Sequence, residues 1–378
     1  MPKVKLGDVA REYKATLKQN KGLPVVGLEH ITPGELQLEN WDKDIETTFT
    51  KGFKKGQVLF GRRRAYLKKA AIAPFDGVCS GDITVIEAIP GKILPTLLPF
   101  VIQNDMLFDF AVGKSAGSLS PRVKWENLCN YEFNLPEYEH QEPLVELLQA
   151  AYETKRAYQR QIVATDELVK SQFIEMFESG DKSFTECSII ETCAGKDDIK
   201  CGPFGTQLKQ SEYTEAGVAV WGIPEINAEF KKSPVIFVTP EKANQLEPFS
   251  LVPGDIAMSR KGNVGQCAIY PDDFEPGIIA SDVLRIRIDR SMLIPKFMQC
   301  QLHHSESVKH QISLVSNGAV MAGINVTKLK NIKVYVPPMD LQAQFVAIAE
   351  QSDKSKFELQ ESIKRIDGLI KSLMQNEQ

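Results

Sequence analysis

Val336-Pro337-Pro338-Met339-Asp340-Leu341-Gln342 opens a helical pattern that runs almost to the last residue of the 378-residue chain. The two prolines keep a helix from extending back past them, and Asp340 is placed to cap the first free amides. Apolar residues then recur at Phe345, Ile348, Ala349, Leu359, Ile363, Ile366, Ile370 and Leu373. The alternating steps of four and three from Leu359 to Leu373 make a coiled-coil seam.

The chain carries this stretch twice. Leu135-Pro136-Glu137-Tyr138-Glu139-His140-Gln141 opens a second amphipathic run, with Leu144, Leu148, Ala151, Tyr158, Ile162, Val169, Phe173 and Met176 on one stripe. Aligning the prolines at a shift of 201 positions sets Gln342 on Gln141 and Val346 on Val145. Each helix should be about 54 Å long at 1.5 Å per residue. Neither can bury its stripe alone, so they are expected to bury it against each other, as two long antiparallel coiled-coil helices. Two unrelated surface helices are the bland reading, which the matched starts disfavour.

The residues between these helices repeat as well. Val252-Pro253-Gly254-Asp255-Ile256-Ala257-Met258-Ser259-Arg260 aligns with Lys54-Lys55-Gly56-Gln57-Val58-Leu59-Phe60-Gly61-Arg62, and Ser281-Asp282-Val283-Leu284-Arg285-Ile286 with Gly81-Asp82-Ile83-Thr84-Val85-Ile86. Collinear matches at nearly one shift imply a tandem: globule 1–136, central helix 137–180, globule 181–339, C-terminal helix 340–378. The fold class is α+β, with two pseudo-twofold-related globular domains separated by the two helices. Strands are expected at 56–61 and 81–86, a helix can form from Phe100 to Val112, and 178–183 is a polar break.

With 43% hydrophobic and 25% charged residues, the composition is that of an ordinary globular chain with room for two or three domains. No apolar run approaches a membrane span, and Met1-Pro2-Lys3-Val4-Lys5 lacks the apolar core of a signal peptide, so a cytoplasmic protein is expected. The seven cysteines are scattered without a Cys-x-x-Cys pair and read as reduced, mostly packed thiols. The net charge of −4 hides a division: residues 1–136 hold 19 basic and 15 acidic side chains, whereas 137–180 hold 4 and 9. Contact with nucleic acid would therefore be local to faces of the globules.

No catalytic constellation is found. Gly113-Lys114-Ser115 lacks the glycine that a phosphate loop requires five residues earlier, where Phe108 stands. His303, His304 and His310 lack partners at metal-ligand spacing and read as a solvated helix face. Binding chemistry remains. Arg62, Arg63 and Arg64, followed by Lys68 and Lys69, are the densest basic cluster, and Arg260, Lys261 and Asn263 stand after the equivalent strand of the second globule. Arginine can chelate guanine or grip phosphate there, although a solvated charge run has the same composition. The turn Gly202-Pro203-Phe204-Gly205-Thr206-Gln207-Leu208-Lys209 offers close backbone approach at Gly205 and donors at Thr206, Gln207 and Lys209, with a merely structural turn as the alternative.

These residues carry a family resemblance. The run from Lys200 to Lys209, continuing through Tyr213 to Val220, resembles the opening of a target recognition domain in specificity subunits of type I restriction-modification systems. Gly254-Asp255-Ile256 with Ser259-Arg260-Lys261-Gly262-Asn263-Val264-Gly265 resembles the strand and glycine loop that follow it, and Val336-Pro337-Pro338 with Leu341-Gln342 resembles the start of the spacer helix. The likeness covers essentially the whole chain, but Glu137 replaces the second proline in the first copy, and the first globule has no counterpart of the 202–205 turn.

The resemblance implies a non-catalytic subunit that binds double-stranded DNA at a bipartite target. The two helices would act as a ruler, placing two recognition faces about one duplex turn apart, roughly 34 to 36 Å. It further implies two modification (methyltransferase) subunits docked on the helices, with S-adenosylmethionine bound by them and no cofactor in this chain, and separate restriction/motor subunits. Leu144, Leu148, Tyr158, Ile162, Phe345, Leu359, Ile363, Ile366 and Ile370 would pack the helices. A self-contained methyltransferase or nuclease, a coiled-coil adaptor without DNA, and the recognition subunit of a fused restriction-methylation enzyme are the alternatives.

Overall fold

A computed structural model of the chain describes residues 2–17, 22–43, 45–180, 184–316 and 323–375. The chain divides into two compact units, Met1–Arg160 with Leu359–Gln378, and Gln161–Glu358. Each unit holds one globule and one half of each long helix. The helices are continuous over 37 residues each, Gln141–Phe177 and Met339–Gln375.

In the first unit the central antiparallel sheet has the order Ala10–Glu12, Ile83–Ala88, Val58–Gly61, Ala70–Ile72. A second sheet joins Val25–Val26, Gly77–Cys79 and Lys51–Phe53, its first pair parallel. In the second unit the central sheet has the order Ile199–Cys201, Val283–Ile286, Ile256–Ser259, Cys267–Ile269. The same strand order returns, and so does the register. Phe60 faces Thr84 and Gly61 faces Ile83 in one copy; Met258 faces Leu284 and Ser259 faces Val283 in the other. The two strands expected from sequence are thus present as Val58–Gly61 and Ile83–Ala88.

The alternation of side chains along a strand explains why Val58–Gly61 is buried throughout. Val58, Phe60 and Ile86 point into a core shared with the long helices, and Leu59, Ile83 and Val85 into a core shared with the second sheet. Ile256, Met258, Leu284 and Ile286 against Ala257 and Val283 repeat the division. At the position equivalent to Val85 the second unit has Arg285, 4% exposed, and it keeps its charge in company by donating to the carbonyls of Ser250 (2.8 Å), Asp197 (3.1 Å) and Pro248 (3.3 Å). Burial pushes its pKa down.

The start of each helix is fixed by one glutamine. The Gln141 amide is fully buried; its Oε1 accepts from Leu94 N at 2.8 Å, and its Nε2 donates to the carbonyls of Pro136 (3.1 Å) and Lys92 (3.2 Å). Gln342 is equally buried and does the same with Ile294 N (2.9 Å), Pro337 (2.8 Å) and Met292 (2.9 Å). The motif found in the sequence is therefore a joint in which a side-chain amide closes the chain before the helix onto the start of the helix.

Several expectations need correction. The helix foreseen from Phe100 to Val112 is two, Leu98–Ile102 and Asp105–Gly113, because the Asn104 side chain accepts from Met106 N and caps the second. Asp340 lies inside the first turn of its helix, which begins at Met339, and so favours the helix dipole rather than capping it. Of the polar break, Asp181, Lys182 and Ser183 lie outside the described residues.

The helix stripes are not one even seam. Leu148 and Phe345 are fully buried, and Leu144 and Ile370 pack on the first core. Tyr158, Ile162, Leu359, Ile363 and Ile366 are only half-buried. The greatest burial lies at the ends, where Phe173, Phe177, Phe297 and Phe345 form an aromatic cluster in the second unit, with centroids 5.0 to 6.2 Å apart. Within each unit the two helix halves run antiparallel: Lys155 bonds Asp367 at 2.7 Å in the first, and Lys356 bonds Asp166 at 2.6 Å in the second. A shift of 201 maps the first pair on the second with the helices exchanging roles.

His303 and His304 are packed rather than solvated. Burial, followed by the neighbouring His303, pushes the pKa of His304 down to about 4. The unfolded chain takes up this proton near pH 6.5, whereas the folded chain resists it until about pH 4. The neutral ring thus contributes stability that is fully present above 6.5 and is lost as the pH falls towards 4, by roughly 3 kcal/mol at most. Thermal unfolding between pH 7 and 4 should show a shallower decline in His304→Phe than in the wild type; equal declines would exclude the imidazole as the cause.

Candidate nucleic-acid interface

The loop after Val58–Gly61 is built around one carboxylate. Arg122 grips Asp82 through Nε (2.6 Å) and Nη2 (3.2 Å), and Arg63 Nη1 lies 3.5 Å from the same group. Arg62 N donates to Asp82 O at 3.0 Å. The hydrogen bond from Arg122, and then the charges of Arg122, Arg63 and Arg62, hold the Asp82 carboxyl below its usual range. Two guanidinium groups thus contact one carboxylate and a third, that of Arg62, lies close enough for its charge to act on it, so the local balance is positive. Arg64 is exposed and left-handed at φ 54°, and the Nε atoms of Arg62 and Arg63 are buried without a hydrogen-bond partner among the described residues.

The two lysines behave differently. Lys69 Nζ donates to Leu28 O at 2.6 Å, and Lys68 pairs with Asp105 at 2.5 Å, so both amino groups are engaged within the fold. Arg62, Arg63 and Arg64 are brought together with Arg122, which sequence reading missed because a lone arginine after a proline carries no pattern. Asp82 was legible as half of the repeated Asp82/Asp282 match, although its role was not.

The loop from 115 to 122 is tied to these arginines. Ala116 and Arg122 exchange backbone hydrogen bonds at 3.0 and 2.9 Å, Arg64 N donates to Pro121 O at 2.8 Å, and Val123 N to Arg62 O at 3.0 Å. The second unit repeats the frame: Arg260 N donates to Asp282 O (3.1 Å), Ile324 N to Arg260 O (3.0 Å), and Lys261 pairs with Asp282 at 2.8 Å.

Arg260 also joins the second loop to the 202–209 turn. Its Nη1 donates to Cys201 Sγ at 2.9 Å, and Gly202 N donates to Val283 O at 3.0 Å. A Cβ on Gly202 would stand 2.0 Å from Ala280 O, so only glycine lets the turn lie this close to the strand. Gly205 sits at φ 63° at the tip. Pro203 and Leu208 are buried, leaving Gly205, Thr206, Gln207 and Lys209 exposed. Asn263 is exposed in the following glycine loop. Each unit therefore ends its central sheet in a tethered loop cluster rich in donors and cations, a shape and chemistry suited to a polyanion.

Two recognition-type α+β modules in tandem, each with a basic loop cluster at one end of its sheet, define the class. Residues 1–164 and 203–366 match the family described as the type I restriction modification DNA specificity domain, and the chain belongs to that family. A curated relative, the putative type I restriction enzyme MjaX specificity subunit of Methanocaldococcus jannaschii, is 25% identical over 142 residues, 36% of this chain and 33% of that protein. The aligned stretch thus spans about a third of the relative's length. The S subunit of a type I restriction-modification system from M. genitalium has the same fold, with a TM-score of 0.55 at 15% identity over 99% of this chain and 96% of that one. A chain from a structural study of complex assembly and conformational transition in the type I R-M system gives 0.56 at 19% identity over the same shares.

Proposed function

We propose that this chain is the sequence-specific DNA-recognition subunit of a type I restriction-modification complex. The observation that carries the reading is the repeat itself: two modules of one fold, each presenting a tethered cationic loop cluster, on a chain of this family. Each module reads one half of a bipartite duplex target, with base contacts specifying and arginine phosphate contacts positioning. The long helices set the distance between the half-sites. Methyltransferase subunits, which bring S-adenosylmethionine, and restriction/motor subunits assemble with it; the complex works in the cytoplasm. Among the described residues, no helix is long and apolar enough to cross a membrane.

The direct test is sequencing of adenine methylation in DNA from cells expressing this chain with its neighbouring modification subunit. A single split motif that vanishes when the chain is deleted supports the reading. An active partner with no such motif would favour a protein-only adaptor.

Two variants probe the parts. Replacing Arg62, Arg63 and Arg64 with alanine should lower the slope of log affinity against log salt by up to about 2.7, since each lost phosphate contact removes about 0.9. An unchanged slope would place them outside the interface. Inserting seven residues into both helices, at register-matched positions, adds about 10.5 Å, and the unread gap should grow by about three base pairs with both half-sites unaltered. A gap of unchanged length would show that the helices are not the spacer.

A further inference from the structure

Leu119 is 89% exposed, the most exposed of the large apolar side chains among the described residues, and it stands at the tip of the 115–122 loop. Single apolar residues on a surface are ordinary. What distinguishes this one is that the basic groups themselves hold its loop. Arg63 Nη2 donates to Ser120 Oγ at 3.1 Å, Arg122 Nη1 to Ser120 O at 3.3 Å, and Arg64 N to Pro121 O at 2.8 Å. The second unit also exposes a large apolar side chain, Phe204 at 63%, on the 202–209 turn, which follows the strand residue that Arg260 bonds. Its turn is closed by Phe204 N to Gln207 Oε1 and Gln207 N to Phe204 O, both 3.3 Å, and Arg260 bonds Cys201 three residues before it. The two residues are not equivalent in the repeat, so the device arises from different loops.

A rigid apolar tip framed by cations fits a polyanion whose interior is apolar and stacked. Phosphates engage the frame, and the tip is left facing the bases. We infer that Leu119 and Phe204 are apolar wedges, one for each half-site, that insert against the base stack and partly unstack a step there. Insertion of Leu or Phe between base pairs is a known physical means of bending duplex DNA and of reading steps by how easily they open. The wedge therefore adds selection for a deformable step to the contacts made by Arg62, Arg64, Thr206 and Gln207. Leu119 supplies an aliphatic plug, whereas Phe204 can also stack.

This inference rests on the proposed DNA-recognition function, and its test separates the two. The full chain, with its modification subunits, is titrated with duplexes carrying the split motif and 2-aminopurine at successive positions of each half-site. Wild type should raise the fluorescence at one step in each half-site. Leu119→Ala should abolish the rise in one half-site and Phe204→Ala in the other, each weakening binding about ten- to a hundredfold. Because both side chains are exposed, thermal unfolding of the variants should match wild type, and the salt slope should stay unchanged. Specific wild-type binding with no rise, or rises that persist in both variants, would overturn the wedges alone, as would weakened binding without a fluorescence change. Failure of the wild-type complex to bind any duplex specifically would overturn the recognition function as well.

Discussion

Gln342→Leu should lower the stability of the second unit by about 3 to 5 kcal/mol. The side chain keeps its volume, but Ile294 N and the carbonyls of Met292 and Pro337 lose the partner that satisfies them. Each buried group left unpaired costs about 1 to 3 kcal/mol, so the loss approaches the stability of a typical domain, about 5 to 15 kcal/mol. The melting temperature should fall by roughly 10 °C for a unit of this size. Hydrogen exchange at the Ile294 amide should also accelerate well before global unfolding. Gln141→Leu should do the same to Leu94 in the first unit. A loss below about 1 kcal/mol would show that water or another group takes over these partners.

Phe345→Ala should cost about 3 to 5 kcal/mol, because Phe345 is fully buried and its ring touches those of Phe173, Phe177 and Phe297. Ile363→Ala, on the same stripe of the same helix, should cost only about 1 kcal/mol, since its side chain is half-exposed and belongs to no core. Urea unfolding of the two variants decides between two pictures of the helices. Equal losses would mean an even coiled-coil seam; a large difference means that the ends are held by the globules and the middle is held weakly.

The sequence pattern marked a seam from Leu359 to Leu373 without showing how deeply each position is covered. The steps of four and three from Leu359 to Leu373 report which face is apolar, not how much covers it. Depth depends on the globules, which helical spacing does not describe. The repeat was legible for a different reason: Gly254-Asp255-Ile256 and Asp282-Val283 match their counterparts because they form the same strands in the same register. The glutamines were legible as aligned letters only. Their function as joints lies in the fold, where one carbonyl and one amide N–H about fifty residues away meet each side-chain amide together with the carbonyl of the nearby proline.

At the candidate interface, the arginines and the glycine turn could be named from residue type and position. Their arrangement could not, because Arg122 meets Asp82 only after a strand and two helices intervene in the chain. Lys68 and Lys69 show what a charge run leaves out: it counts cations, whereas their partners, Asp105 in an exposed ion pair and the Leu28 carbonyl, appear only in the fold.

The glutamine joint bears on how such a chain can change over time. Its partners are main-chain atoms, which every residue but proline supplies in full, so the joint is largely indifferent to the side chains around it. Loops at the far end of the sheet can then be rewritten, or a whole module exchanged for another with the same ending, without redesigning the attachment. In this chain the two modules already differ in that way: one carries a glycine turn the other lacks, yet both are fastened by the same three bonds. New loop chemistry can therefore arise by replacement of parts, with the connector left unaltered.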